Sequence, residues 1–165
     1  MEIELQDRVV FKNTLCCTGY FSNPYEVKEK VNGMIRFLKK LGIGHSNRVI
    51  SKVLKKKKGD RGNVLKMEVM ISCSNKISGE SLSKSEFIFR ELFVIDPSIK
   101  VSIPNNPKSF QQAVQTMLSY AKKNNLETIE PIIEVFKIDR YGNVIGFDLY
   151  LQCRAQEVIT YVETQ

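Results

Sequence analysis

The chain has 165 residues, 42% hydrophobic and 26% charged, with a formal net charge of +7. This balance suits a folded globule able to bury a core without staples, and argues against a disordered or disulfide-bound chain. No apolar run approaches the roughly 18 residues of a membrane span, and the acidic opening Met1–Asp7 lacks a signal-peptide hydrophobic stretch, so a cytoplasmic location is expected. Along the chain, Arg8 to Phe21 is rich in Val, Phe, Leu, Cys and Tyr and predicts a strand with an irregular end. Asn23-Pro24 opens a helix, with a capping side chain before a proline at the first turn. Val27, Val31, Met34, Ile35, Leu38 and Leu41 recur at helical spacing, and Gly42 and Gly44 stop the helix. Strands follow at 48–55 and 63–73, joined by the turn Lys55-Lys56-Lys57-Lys58-Gly59-Asp60-Arg61-Gly62, which reads as a solvated hairpin loop. The Ser- and Lys-rich stretch 75–86 reads as a connection. Then come a strand near 87–94, an extended piece Lys100–Ile103, and a second helix turning Phe110, Val114, Met117, Leu118 and Ala121 inward. Strands at 131–138 and 145–153 close the unit, and Thr160-Tyr161-Val162 is a candidate edge strand.

The two halves are the same plan written twice. Asn23-Pro24 falls on Asn106-Pro107, an offset of 83 residues that also aligns Val31 with Val114, Met34 with Met117 and Val49-Ile50 with Ile132-Ile133. Later the offset becomes 80, and Lys66–Cys73 meets Gly146–Cys153. The expected fold class is α+β: two tandem β-α-β-β repeats forming an antiparallel sheet, two helices on one face, and a groove at the pseudo-twofold seam. A single domain is expected, with repeat one at about 8–74, a linker at 75–86, repeat two at 87–155 and a short extension at 156–165.

Side chains alternate across a strand. Met67, Val69, Ile71 and Cys73, with Phe147, Leu149, Leu151 and Cys153, therefore form the sets that the helices should cover. The opposite face takes Glu68 and Met70 from one half and Asp148 and Tyr150 from the other, with Glu134 and Phe136 expected to join them. Carboxylates amid aromatic residues suit a cationic or hydrogen-bonding ligand, which makes these six the candidate groove. Lys55, Lys56, Lys57, Lys58 and Arg61 are the candidate surface for an acidic protein partner. No aromatics interleave with the lysines, so base stacking is poorly supported and nucleic acid is the disfavoured partner. Four cysteines and one histidine show no metal-ligand spacing, and no glycine-rich phosphate loop is present, so neither metal nor cofactor is expected. Phe110 or Tyr25 is a side chain that could fill the groove.

Two tandem β-α-β-β units, a proline-led helix after a strand and an acidic residue in each terminal strand resemble the GyrI-like, or effector-binding, superfamily. Asn23-Pro24-Tyr25-Glu26 is similar to the family's Gly-Pro-Tyr-Glu helix opening. Asp148-Leu149-Tyr150-Leu151-Gln152 is similar to its Glu-Ile-Tyr-Ile-Pro closing strand, with Asp for Glu and Gln for Pro. The resemblance covers about residues 8–155 and implies a ligand-sensing module whose groove carboxylate carries over to Asp148. Some members are hydrolases, which would make Glu68, Asp148 or Glu134 a base and Tyr150 or Tyr141 a hydrogen-bond donor. Without a Ser/His/Asp or Cys/His arrangement, no catalytic residue is assigned and a non-enzymatic binding module is the favoured expectation. A looser similarity, in size and general look, is to small uncharacterised Gram-positive proteins encoded beside type VII secretion toxins. It implies a protein-binding accessory such as an adaptor, chaperone or immunity-type factor. Oligomeric state is left open by the sequence.

Overall fold

The computed structural model of the chain describes residues 1–59 and 62–156. Arg61 and the candidate edge strand at 160–162 lie outside the described residues. Eight strands form one antiparallel sheet: β1 (Glu4–Gln6), β2 (Val9–Phe21), β3 (His45–Gly59), β4 (Gly62–Cys73), β5 (Ile88–Ile95), β6 (Ser98–Pro104), β7 (Leu126–Ile138) and β8 (Val144–Ala155). Helices α1 (Pro24–Lys40) and α3 (Pro107–Lys123) are long, and α2 (Gly79–Ser83) is a short helix within the stretch that the sequence reads as a plain connection. The fold class is the expected α+β.

The strand order β1-β6-β8-β7-β3-β4-β2-β5 is symmetric about the β7–β3 pair. Exchanging β3 with β7, β4 with β8, β2 with β6 and β5 with β1 reproduces the same sheet. The first strand of each half thus lies against the other half: β1 pairs with β6, and β5 pairs with β2.

Both long helices start as the sequence predicts. The Asn23 side chain accepts a hydrogen bond from Glu26 N, and Asn106 does the same for Lys108 N. Each cap thereby satisfies one of the amide groups left unpaired at a helix start, and a proline fills the first turn where no donor is needed. Glu26 returns the favour by accepting from Ser22 N at 2.8 Å, which fixes the chain's entry into α1. Val31, Met34 and Leu38 of α1 bury against Val69 and Ile71. Ala113, Met117 and Ala121 of α3 bury against Val101, Leu149 and Leu151. The expected inward set is corrected at Leu118, which is 42% exposed. The buried stripe runs 113-117-121, so its small alanines let α3 lie close to the sheet, and Leu118 falls outside it.

Among the described residues no helix lies on the opposite face of the sheet, yet Ile50, Met70, Ile133 and Val135 on it are fully buried. The cover comes from the sheet itself. Asn13 adopts φ 54, a left-handed conformation that short polar side chains tolerate better than most. β2 bends there: Thr14–Phe21 pairs with β4, whereas Val9–Lys12 pairs only with Leu92–Ile95 of β5. This two-stranded flap brings Phe11 and Phe93 together, with ring centroids 6.4 Å apart, and packs them with Ile95 against the helix-free face.

The hairpin of β3 and β4 is longer than expected. Lys55–Lys58 continue the ladder opposite Lys66, Leu65, Val64 and Asn63 and are strand residues, not a loop. Flexible, hydrated lysine side chains are compatible with an exposed pleated ribbon, so a charge run alone cannot mark where a strand stops.

Candidate functional site

The two central strands meet at Ser51 and Glu134, directly opposite each other. These positions also stand 83 residues apart, the repeat offset, so the pseudo-twofold axis passes between a serine and its symmetry-related glutamate. Both side chains point to the helix side, because Glu134 also stands opposite Leu149, whose side chain packs beneath α3. Ser51 and Glu134 form the floor of a cavity of about 470 Å³.

The walls are built from both halves. Val27 and Val31 come from the first turns of α1, Val53 and Met67 from β3 and β4, and Phe136 and Phe147 from β7 and β8. Phe136 and Phe147 are themselves cross-strand partners, with ring centroids 6.2 Å apart. Lys28 and Lys56 border the opening, and Lys28 Nζ donates to Asn143 Oδ1 at 3.3 Å. Neither Phe110, which packs from α3 against the cluster around Met117 and Leu149, nor Tyr25, which is exposed, is among the residues lining the space.

Burial pushes the Glu134 carboxyl above its ordinary range, and the Ser51 hydroxyl, as a hydrogen-bond partner, pulls it part of the way back. Among the described residues no cation forms an ion pair with Glu134. A largely buried carboxylate without an ion-pair partner is a group that gains from a bound cation or a further hydrogen-bond donor.

The six candidate groove residues therefore divide. Glu134 and Phe136 are in the cavity, while Glu68, Met70, Asp148 and Tyr150 lie on the flap-covered face. The expectation that all six share one face is corrected by register. Residues directly opposite share a face, and β7 sets Ile133 against Tyr150 and Val135 against Asp148, leaving Glu134 against Leu149. Parity within β7 cannot be aligned with parity within β8 until that pairing is known.

On the flap-covered face both carboxylates are compensated by protein groups. Arg90 embraces Glu68 through Nη1 to Oε1 at 2.7 Å and Nη2 to Oε2 at 3.3 Å. Ser102 donates to Asp148 Oδ1 at 2.7 Å, Lys137 Nζ stands 3.6 Å from the same oxygen, and Arg48 lies 4.0 Å from Oδ2. Met70 and Tyr150 are packed with Ile50 and Ile133, and burial pushes the Tyr150 hydroxyl upward. Lys100 Nζ lies 5.8 Å from the Tyr150 ring, a cation–π arrangement. Asp148 Oδ2 is buried without a hydrogen-bond partner, with the Arg48 guanidinium 4.0 Å away.

Among the other candidates, Lys55–Lys58 are exposed along β3. Cys16, Cys17 and Cys73 are buried free thiols, and burial raises the pKa of each, which disfavours the reactive thiolate. Among the described residues no cluster of His, Cys, Asp or Glu could hold a metal ion. No described helix is long and apolar enough to cross a membrane. The cavity residue that sequence reasoning missed is Ser51. Its signal was the repeat offset itself, which pairs it with Glu134.

No protein-family profile and no curated protein sequence matches the chain. Similarity to solved structures is nevertheless extensive. EcmrR, seen in a cryo-EM complex with DNA in EcmrR-RPo, superposes over 94% of this chain with a TM-score of 0.70 at 10% identity. The chain spans 58% of the EcmrR chain's length. A hydrolase from Listeria innocua matches over 90% of both chains, with a TM-score of 0.59 at 10% identity. An uncharacterized conserved protein from Listeria innocua matches over 90% of this chain and 91% of its own, with a TM-score of 0.57 at 10% identity. At that identity the likeness is one of fold.

Proposed function

We propose that the chain is a non-enzymatic binding module whose seam cavity takes a small hydrophobic ligand carrying a positive charge or a hydrogen-bond donor. The observation that carries this reading is the uncompensated Glu134 carboxylate on the floor of an apolar cavity of about 470 Å³, a size suited to a small organic molecule. The apolar walls supply affinity roughly in proportion to the surface they remove from water. Phe136 and Phe147 supply ring faces and edges for an aromatic group or a cation. Glu134 supplies the polar anchor, and Ser51 a hydroxyl that can donate or accept. The resemblance to GyrI-like domains and the fold shared with EcmrR support a ligand-binding role. The ligand carboxylate is assigned to Glu134 and not to Asp148, since Asp148 is held by Ser102, Lys137 and Arg48.

A thermal-shift screen tests the proposal, comparing aryl quaternary ammonium compounds with neutral compounds of the same shape. A ligand present at about 100 times its dissociation constant adds about 2.7 kcal/mol, enough to raise the midpoint by several degrees. The expected result is a shift with the cations that Glu134→Gln reduces and Asp148→Asn leaves in place. Equal shifts in wild type and Glu134→Gln would contradict the assignment.

A further inference from the structure

The β3–β4 hairpin outruns the sheet. β3 pairs with β7 only through Arg48–Lys52, and β4 pairs with β2 only as far as Leu65. Beyond that point the two strands continue alone as a ribbon. Lys57 to Gly59, paired with Gly62 to Val64, adds about 10 Å at the usual rise of a strand, and Lys55 and Lys56 stand at the base of this ribbon, where β2 still flanks β4. Within Lys55–Gly59 and Gly62–Lys66 there are five lysines and no acidic residue.

The register distributes these charges in an unusual manner. Lys56 and Lys58 stand opposite Leu65 and Asn63, which border the cavity, so they take the helix side of the ribbon. Lys55 and Lys57 alternate to the other side. Lys55 also stands directly opposite Lys66, whose ammonium group lies 5.9 Å from the Tyr20 ring. Like charges directly opposite on a sheet repel. Among the described residues none of Lys55–Lys58 forms an ion pair with a carboxylate. The ribbon thus carries positive charge on both faces, and self-repulsion that an anionic partner would relieve.

From this two-faced charge we infer that the ribbon docks into the major groove of duplex DNA. An acidic protein surface or an anionic membrane presents one plane of charge and neutralises one face of a ribbon. The major groove has a phosphate backbone on each wall, is about 12 Å wide, and admits a two-stranded ribbon. Ammonium groups reach phosphates as point charges without base stacking, so the lack of aromatic residues in the run is no obstacle and the binding is largely sequence-independent. Lys56 also borders the Glu134 cavity, whereas Lys55 and Lys57 lie on the other side of the ribbon, so the Lys55→Gln/Lys57→Gln pair tests DNA binding apart from ligand binding.

The test is fluorescence anisotropy of the full chain with a labelled mixed-sequence DNA duplex, from about 50 to 200 mM salt. Affinity should fall steeply with salt. Replacing Lys55, Lys56, Lys57 and Lys58 together by Gln should lower the slope of log affinity against log salt by about 3 to 4. The pair Lys55→Gln/Lys57→Gln and the pair Lys56→Gln/Lys58→Gln should each remove about half of that slope. Melting curves check that the variants, all at exposed positions, remain folded. A salt-independent affinity would overturn the inference, as would a loss confined to one pair, or tighter binding to polyglutamate or to phosphatidylserine vesicles than to the duplex.

Discussion

Glu134 and Asp148 are two carboxylates less than a strand apart with opposite fates. Asp148 is 1% exposed but receives a hydroxyl and sits beside two cations, so its charge belongs to the fold. Removing it in Asp148→Ala leaves Ser102 without its acceptor and should cost about 1–3 kcal/mol in urea unfolding. The low end is expected because Lys137 and Arg48 are partly solvated and keep water as a partner. Glu134 behaves in the reverse sense. Its folded-state carboxyl holds a proton at pH values above 4.5, where the unfolded chain has released it. The native state therefore binds more protons in that window, and stability from this group falls as pH rises through it, with the burial penalty complete above the folded pKa. Glu134→Gln keeps the shape without the charge. Its gain in urea midpoint over wild type should be larger near neutral pH than near pH 4.5, and a gain independent of pH would contradict the burial argument. The residue types were legible in the sequence. Their roles were not, since a side chain's countercharges come from strands far away in the chain.

Helices were the most legible elements, because their start signals are local. Asn23-Pro24 and Asn106-Pro107 each combine a cap with a first-turn proline, and both helices begin there. Asn106→Ala should cost about 1 kcal/mol, read as a lower thermal midpoint. Strand ends were less legible. Lys55–Lys58 looked like a loop by composition, and β1, three residues long, left no periodic trace. The bend at Asn13 was also hidden, since a lone asparagine in an apolar run gives no sign of a left-handed conformation. Its consequence is measurable. Asn13→Val places a β-branched side chain at positive φ, where it should cost about 1–2 kcal/mol, whereas Asn13→Gly should cost much less. Equal losses in the two variants would show that the Asn13 side chain, and not its backbone conformation, holds the flap.

At the scale of the molecule, the duplication organises the rest. Two helices cap one side of a symmetric sheet, the exchanged first strands tie the halves together, and the flap covers the other side. Met34 and Met117 occupy equivalent, fully buried positions beneath the two helices. The internal repeat made this plan visible in sequence, since residue character survives at matched positions even where identity does not. What remained out of reach was the relative phase of β7 and β8, a property of pairing, and with it the face on which the groove carboxylate stands. The cavity is chemically asymmetric despite the symmetric sheet, because one half supplies Ser51 where the other supplies Glu134, and the proposed ligand on the axis would meet a hydroxyl on one side and a carboxylate on the other. The most direct test is isothermal titration calorimetry of an aryl quaternary ammonium ligand against wild type, Glu134→Gln and Asp148→Asn. The structure predicts at least tenfold weaker binding in Glu134→Gln, equivalent to about 1.4 kcal/mol, and unchanged binding in Asp148→Asn. Loss of binding in Asp148→Asn with Glu134→Gln unaffected would place the ligand on the other face of the sheet and contradict the account.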